Sequence, residues 1–205
     1  MTSISIIGTT GVGKSFLVKQ LAALNCCPAF FEGEIGVFTP RIMKLLATRT
    51  NQYELNSWFI ARFKRMILAA NKISSLRTDQ IHRIDCYVDA SMLYALAIHR
   101  ATGSSARVIQ HILQNVHLQT DKTVLIVMSP TGLRRMIKLR GRKIEQNKSY
   151  FDLCLRIQDE LIAIANEQNK SGNKILIINR DKLDFTKNSD LKLISTKISK
   201  WARQI

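Results

Sequence analysis

The feature that most constrains this chain is a glycine-rich loop near its N-terminus, between a short apolar run and a helical pattern. The apolar run covers residues 4–7, and the loop consists of Gly8, Thr9, Thr10, Gly11, Val12, Gly13, Lys14 and Ser15. Apolar residues then recur at helical spacing, at Phe16, Leu17, Leu21 and Leu24. In this context of strand, loop and helix, the eight residues match the P-loop pattern that binds nucleotide phosphates.

Each residue type in the loop has a physical role in holding a triphosphate. The glycines allow backbone N–H groups to turn inward around the phosphates, and Lys14 adds a positive charge at the β- and γ-phosphate oxygens. The hydroxyl of Ser15 is a ligand for Mg²⁺. An accidental glycine-rich turn is the alternative, but it would not be expected to have both a strand before it and a helix after it. The loop therefore predicts binding of a nucleoside triphosphate with Mg²⁺.

The rest of the chain alternates between strand-length apolar runs and helical patterns. The runs cover residues 4–7, 29–31, 86–88, 124–128 and 175–178. Their continuous, β-branched character indicates strands buried on both faces of a parallel sheet. Helical spacing relates the apolar residues within 55–70, 108–116, 154–165 and 191–201. We therefore predict an α/β, P-loop NTPase fold, with a five-stranded parallel sheet and helices on both faces, as one domain over residues 1–205.

The composition is that of a globular intracellular protein. The 205 residues are 46% hydrophobic, and no apolar run approaches the ~18 residues that a membrane span needs. The cysteines show no metal-ligand spacing, and the neighbours Cys26 and Cys27 cannot easily form a disulfide with each other. We expect a reducing, cytoplasmic location and no membrane partner.

A formal net charge of +16 is the least ordinary bulk property. Its densest part lies within fifteen residues and is opposed only by Glu145. This cluster consists of Arg134, Arg135, Lys138, Arg140, Arg142, Lys143 and Lys148. A basic surface attracts phosphate in nucleotides, nucleic acids or lipids, but a solvated lysine-rich surface has the same composition. Both interpretations remain open at this stage.

Three further segments narrow the choice among P-loop proteins. Residues 30–34 read Phe-Phe-Glu-Gly-Glu, and residues 86–91 read Cys-Tyr-Val-Asp-Ala-Ser. A Ser-Pro pair at residues 129–130 leads to Arg-Gly-Arg-Lys-Ile-Glu-Gln at residues 140–146. With the P-loop, these segments resemble the deoxyribonucleoside kinases, including the bacterial deoxyadenosine/deoxyguanosine kinases and their viral relatives. The resemblance extends nearly to the C-terminus and is weakest between residues 33 and 60.

The resemblance implies catalytic roles for two carboxylates. Glu32 matches the family's glutamate that contacts the sugar 5′-hydroxyl as a general base. Gly33 replaces the family's proline, so Glu34 is a rival for this role. The alternative interpretation is that both acids are solvated loop residues without a catalytic role. Asp89 matches a carboxylate that holds Mg²⁺ or acts in catalysis, and with Ser15 it forms the predicted metal site.

The third segment resembles the family's lid, which implies a lid over about residues 131–148 in this chain. Arg140 and Arg142 are then expected to close over the triphosphate and to neutralise charge on the transferred phosphoryl group. The chain departs from the family at two arginines: the one after the Asp89 position is Ala90 here, and the first lid arginine is Met136. A basic solvated helix is the alternative interpretation of the lid segment.

The substrate site is less well defined by the sequence. Arg62 matches an arginine in the helix that lines the family's nucleoside pocket, and Glu145 is assigned to substrate binding on the lid resemblance. The family's glutamine that binds the base falls on Leu55. Trp58 could stack on a base, although aromatic residues at helical spacing are more often core residues.

The resemblance favours an enzyme, an ATP-dependent deoxynucleoside kinase of nucleotide salvage that transfers the γ-phosphoryl group to a 5′-hydroxyl. It would use ATP and Mg²⁺ and act on a small-molecule nucleoside. The long helices could form the face of a homodimer, as in the family, but their periodicity fits burial within one chain equally well. A nucleotide-binding protein that has lost turnover and a nucleoside monophosphate kinase are the alternatives. Nucleic-acid binding is supported by charge alone, because no base-reading module is visible.

Overall fold

The computed structural model describes residues 2–31, 52–76, 84–103, 105–117, 119–141, 147–172 and 175–204. Five strands form one sheet in the order β2-β3-β1-β4-β5, and every neighbouring pair is parallel. They are β1 (Thr2–Ile7), β2 (Ala29–Phe30), β3 (Ile84–Val88), β4 (Lys122–Val127) and β5 (Ile175–Asn179). The predicted α/β fold with a five-stranded parallel sheet is confirmed.

Seven helices lie in the described part of the chain. They are α1 (Lys14–Leu24), α2 (Gln52–Leu76), α3 (Met92–Thr102), α4 (Ala106–Leu113), α5 (Pro130–Arg140), α6 (Lys148–Lys170) and α7 (Asn188–Ala202). Each of the helical patterns in the sequence corresponds to one of them. The helix α3 was not predicted; it ends before Gly103, which has a left-handed φ of 66°. None of the described helices is long and apolar enough to cross a membrane.

Alternation along the strands divides the core into two layers, because successive residues of a strand face opposite sides of the sheet. In β1, Ile7 packs in a layer with α2, α3 and α4, whereas Ile4 and Ile6 pack in a layer with α1, α5 and α7. In β3, Cys86 and Val88 belong to the first layer and Tyr87 to the second. Helices therefore cover both faces of the sheet, as predicted.

The long helix α6 connects the two layers. Its first part contributes Phe151 and Cys154 to the layer of α1, and its second part contributes residues such as Leu161 to the layer of α3. Between them, the buried side chain of Gln158 accepts a hydrogen bond from the Met128 N–H (2.9 Å) and donates one to the Met128 carbonyl (2.8 Å). Helix α6 thereby fixes the backbone directly after β4.

The carboxyl ends of the parallel strands meet at one edge of the sheet. Gly8 follows β1, Asp89 follows β3, Ser129 lies just after β4, and Arg180 follows β5. Ligands of open α/β sheets bind in the crevice beyond this edge. The fold thus brings four segments that are distant in sequence to one place.

Candidate functional site

The P-loop lies between β1 and α1, and its backbone requires glycine. Gly8 has a φ of 157°, and a Cβ at that position would lie 2.6 Å from the carbonyl oxygen of Ile126 in β4. Gly13 has a φ of 82°, in the left-handed region that residues with a side chain rarely adopt. The loop can therefore turn closely against the sheet only with glycine at these positions.

The start of α1 is built to receive an anion. Gly13 is the N-cap residue, no side chain in the described part of the chain caps this end of the helix, and the first turn contains no acidic residue. The first N–H groups of a helix have no partners within the helix and carry partial positive charge. Leu17 and Leu21 are fully buried, so they hold this helix end against the sheet. The P-loop and α1 therefore present N–H groups of the kind to which phosphates bind in other proteins.

Lys14 and Ser15 begin α1 and connect it to the segment after β3. The Nζ atom of Lys14 lies 5.1 Å from the centre of the Tyr94 ring in α3. The Ser15 hydroxyl donates a hydrogen bond to Oδ2 of Asp89. The structure thus brings together the P-loop cation and the two residues that were predicted to bind a metal.

Asp89 is the buried acid of this site. Asp89 is 5% exposed, and its backbone N–H donates a hydrogen bond to the Phe30 carbonyl (2.9 Å). Within the described part of the chain, no hydrogen-bond donor reaches its Oδ1 atom. Burial raises the pKa of Asp89, while the charge of Lys14, the hydrogen bond from Ser15 and the charge of Arg140 oppose this shift. A buried carboxylate with one unused oxygen, next to a hydroxyl, is a donor set that suits Mg²⁺.

The raised pKa of Asp89 predicts a pH dependence of stability. Because the folded state holds this proton more tightly than the unfolded state, the contribution is fully present below the ordinary value of 3.8 and is lost as pH rises through the raised value. Asp89→Asn does not titrate, so its free energy of unfolding relative to wild type should increase across this window and then level off. Urea unfolding between pH 4 and pH 8 without Mg²⁺ would measure it.

The control for this measurement is Asp159→Asn, which changes an exposed acid on α6. The difference in free energy of unfolding between Asp159→Asn and wild type should not show the pH dependence expected for Asp89→Asn. A pH-independent difference between Asp89→Asn and wild type would contradict the assignment of Asp89 as an acid disfavoured by burial.

Helix α5 occupies the first part of the predicted lid. Ser129 caps it by accepting a hydrogen bond from the Gly132 N–H (3.1 Å), and the helix ends at Arg140, before Gly141 with a φ of 71°. Arg140 is exposed, and its charge acts on Asp89. Arg142 lies outside the described residues, as do the other lid residue Glu145 and the proposed base Glu32.

The first departure from the family pattern has a packing reason. Met136 is half-buried against the core layer of α1, whereas Arg135, one position earlier, is exposed. One position corresponds to about 100° around a helix, so Arg135 projects from a different side of α5. The charge of Arg135 acts on Arg180 and Asp181.

The second departure is also a core position. Ala90 is 4% exposed in the layer that contains Ile60 and Phe63 of α2. Its carbonyl accepts a hydrogen bond from the Ser5 hydroxyl (2.8 Å). The segment after Asp89 is thus held by packing and a backbone contact at the position where the family has an arginine.

Two predicted substrate residues contact each other on α2. The guanidinium carbon of Arg62 lies 5.1 Å from the centre of the Trp58 ring, and Trp58 also meets Phe59 edge-on at 5.0 Å between ring centres. Arg62 is fully buried and Trp58 is half-buried. These contacts show that the aromatic residues at helical spacing on α2 take part in packing within the helix. Stacking of Trp58 on a base remains a prediction.

Sequence reasoning missed two charged residues that reach the site from β5. Arg180 donates to the carbonyl of Val12 in the P-loop (2.6 Å), and Asp181 accepts from the backbone N–H of Ser129 (3.0 Å). The signal in the sequence was their position directly after the last apolar run, where a parallel strand reaches the ligand edge.

Comparison with solved structures identifies similar folds. The deoxyadenosine kinase from M. mycoides with products dCMP and dCDP has a TM-score of 0.70 and 15% identity, over 97% of this chain and 99% of that chain. The same enzyme with bound dATP has a TM-score of 0.66 and 16% identity, over 96% of this chain and 98% of that chain. Thymidylate kinase from Ehrlichia chaffeensis has a TM-score of 0.63 and 15% identity, over 98% of both chains. The chain therefore has the fold of these kinases.

No protein-family model matches the chain, and no curated protein matches it in sequence.

Proposed function

We propose that this protein is a phosphotransferase with an alcohol acceptor, an ATP-dependent deoxynucleoside kinase that moves the γ-phosphoryl group to a 5′-hydroxyl. The observation that carries the proposal is the contact between Ser15 and the buried Asp89 beside Lys14. It occurs at the ligand edge of a fold shared with nucleoside and nucleotide kinases. A role in nucleotide salvage follows from this reaction.

Phosphoryl transfer depends mainly on positioning and on neutralising charge. The N–H groups of the P-loop and of the first turn of α1 hold the phosphates, and Lys14 adds a full charge. Mg²⁺ bound by Ser15 and Asp89 would neutralise charge on the β- and γ-phosphate oxygens. Asp89 also keeps the Ser15 hydroxyl oriented through their hydrogen bond.

The acceptor side of the reaction is assigned to residues on other segments. Glu32 orients or deprotonates the 5′-hydroxyl, and Arg140 and Arg142 close the site as charge develops on the transferred group. Arg62 and Trp58 would contribute to the nucleoside side from α2. Glu145 completes the substrate residues within the lid segment.

A nucleoside monophosphate kinase is the second candidate function. Its support is that thymidylate kinase from Ehrlichia chaffeensis matches the fold over as much of the chain as the deoxyadenosine kinase does. The exposed arginines of α5, Arg134 and Arg135, could hold the phosphate of such an acceptor. The two candidates differ in whether the acceptor carries a phosphate.

A phosphorylation screen tests both candidates directly. The four deoxynucleosides and their monophosphates are incubated with the protein, Mg²⁺ and γ-labelled ATP, and the products are separated. We expect label on a deoxynucleoside. Label on a monophosphate only would establish the second candidate, and binding of Mg·ATP without transfer to any acceptor would indicate a nucleotide-binding protein that has lost turnover.

The lid assignment predicts a specific kinetic effect at the end of α5. Arg140→Ala should lower kcat at least ~tenfold and raise the KM for ATP by less, since its charge is needed most as the phosphoryl group transfers. Lysine at this position should restore only part of the rate, because it lacks the planar fork of donors. Steady-state kinetics with varied ATP would show the two effects separately.

Lys138→Ala is the matched control, because Lys138 is an exposed cation on the same helix, two residues earlier. It should change kcat little. Equal effects at Lys138 and Arg140, with increased sensitivity to salt, would indicate a polyanion-binding surface in place of a lid.

A further inference from the structure

We propose that Arg180 and Asp181 are a pair of positioning residues that hold the P-loop and the start of the lid helix α5 at a fixed spacing. The inference rests on the proposed function, because it assigns these residues to the same nucleotide site. They are adjacent in the turn after β5. Arg180 is hydrogen-bonded to the P-loop, and Asp181 is hydrogen-bonded to the residue that caps α5. Neither belongs to the motifs of the P-loop or the lid.

Arg180 is held in one position by several contacts. It is 7% exposed, its backbone N–H donates to the Val127 carbonyl (2.9 Å), and its guanidinium carbon lies 4.1 Å from the centre of the buried Phe185 ring. From there Nη1 donates to the Val12 carbonyl oxygen at 2.6 Å. The guanidinium also lies directly against Gly13, where a Cβ would collide with it.

This contact acts on the phosphates through the backbone. The Val12 carbonyl and the Gly13 N–H belong to one planar peptide group, in which they point in opposite directions. A guanidinium on the carbonyl withdraws electron density from the peptide, so the N–H on the other side becomes a better donor. Arg180 therefore strengthens an N–H group of the loop and keeps its direction through the backbone.

Asp181 makes the corresponding contact with the lid. Its Oδ1 atom accepts hydrogen bonds from the Ser129 N–H (3.0 Å) and the Ser129 hydroxyl (2.9 Å), and it lies against Gly132. The backbone hydrogen bond from Ser129 holds the pKa of Asp181 below its ordinary value, so its charge is present at neutral pH. The first turn of α5 is thereby fixed to the turn after β5.

The turn itself is stiff, which makes the two contacts interdependent. The Asn179 side chain accepts a hydrogen bond from the Asp181 N–H (2.8 Å), and the Arg180 carbonyl accepts one from the Leu183 N–H (2.8 Å). A displacement of either contact must move the shared backbone between them. Loss of one residue should therefore loosen both nucleotide-binding segments.

The first test compares Arg180→Met with Arg180→Lys. Arg180→Met should weaken Mg·ATP binding about tenfold, the usual size of a lost hydrogen bond to a charged group, and should speed hydrogen exchange in residues 8–15. Arg180→Lys should restore part of both. Lys182→Met, which removes an exposed cation two positions later, is the control and should change neither. Calorimetry and hydrogen exchange by mass spectrometry give the two readouts.

The second test concerns interdependence. Asp181→Ala should speed hydrogen exchange at the start of α5 and also in residues 8–15, which it does not contact. The double variant of Arg180→Met and Asp181→Ala should have a kcat/KM only slightly below that of the less active single variant. The effects should not add, because both substitutions loosen the same turn. Asp159→Ala, an exposed acid on α6, is the matched control.

These outcomes separate the inference from the proposed function. If wild-type protein binds Mg·ATP and Arg180→Met binds it equally well, the inference is wrong and the proposed function stands. Exchange that increases only in the contacted segment, with additive effects on kcat/KM, would also overturn the pairing. Wild-type protein without affinity for Mg·ATP would overturn both.

Discussion

Replacing Lys14 by alanine is expected to abolish ATP-dependent phosphorylation and to weaken Mg·ATP binding. Lys14 is the cation of the P-loop at the start of α1, a helix end that is not capped by any side chain among the described residues and has no acidic residue in its first turn. Backbone N–H groups carry only partial charge, so they cannot replace a full charge at the β- and γ-phosphate oxygens. Loss of one such preorganised group lowers rates by ~10²–10³-fold, and a complete cation should matter at least as much.

Single-turnover kinetics and calorimetry with Mg·ATP would measure the rate and the affinity separately. Lys19→Ala is the matched control, because Lys19 is exposed on the same helix, just over one turn further along. It should retain wild-type binding and turnover. Lys14→Ala that binds Mg·ATP as tightly as wild type would exclude the P-loop as the triphosphate site.

Replacing Asp89 by asparagine is expected to remove the response of the rate to Mg²⁺. Asparagine keeps the shape of the side chain and can still accept the hydrogen bond from Ser15, but it has no charge to bind a divalent cation. Metal ions contribute several kcal/mol of charge stabilisation in such reactions, so turnover should fall by ~10²–10³-fold. Rates measured over a Mg²⁺ titration at fixed ATP would show a flat response.

Asp85→Asn is the control for this experiment, because Asp85 is a buried acid in β3, the strand that Asp89 follows. Its carboxylate accepts hydrogen bonds from the Thr2 N–H (2.8 Å) and the Ser74 hydroxyl (3.1 Å), away from the P-loop. Asp85→Asn can lower stability but should keep the Mg²⁺ response. If Asp89→Asn keeps it too, the metal is bound elsewhere.

The sequence predicted the parts of the site that depend on local patterns. The P-loop is contiguous in sequence. The alternation of strand-length apolar runs with helical patterns is enough to predict a parallel sheet. The pairing of Ser15 with Asp89 was implied by the resemblance to the deoxyribonucleoside kinases, which assigns both residues to one metal site. Ser15 lies in the first turn of α1, and Asp89 follows β3. Glu32, Arg142 and Glu145 lie outside the described residues and stay predictions, as do the roles of Trp58 and Arg62.

The contacts of Arg180 and Asp181 could not be predicted, for a physical reason. They join residues separated by 168 and 52 positions, and no periodicity in the sequence specifies such a distance. A charged pair at a strand end is equally consistent with a solvated turn. Helix α3 was missed for a different reason: it is buried along much of its length, so no polar face marks its pattern.

The burial of Ala90 limits what can be engineered at this position. An arginine there would have to enter the packed core layer that also contains Ile60 and Phe63, and an uncompensated charge in such a layer destabilises a protein strongly. Ala90→Arg alone is therefore expected to lower stability, so an arginine at this position would require changes elsewhere in the layer as well.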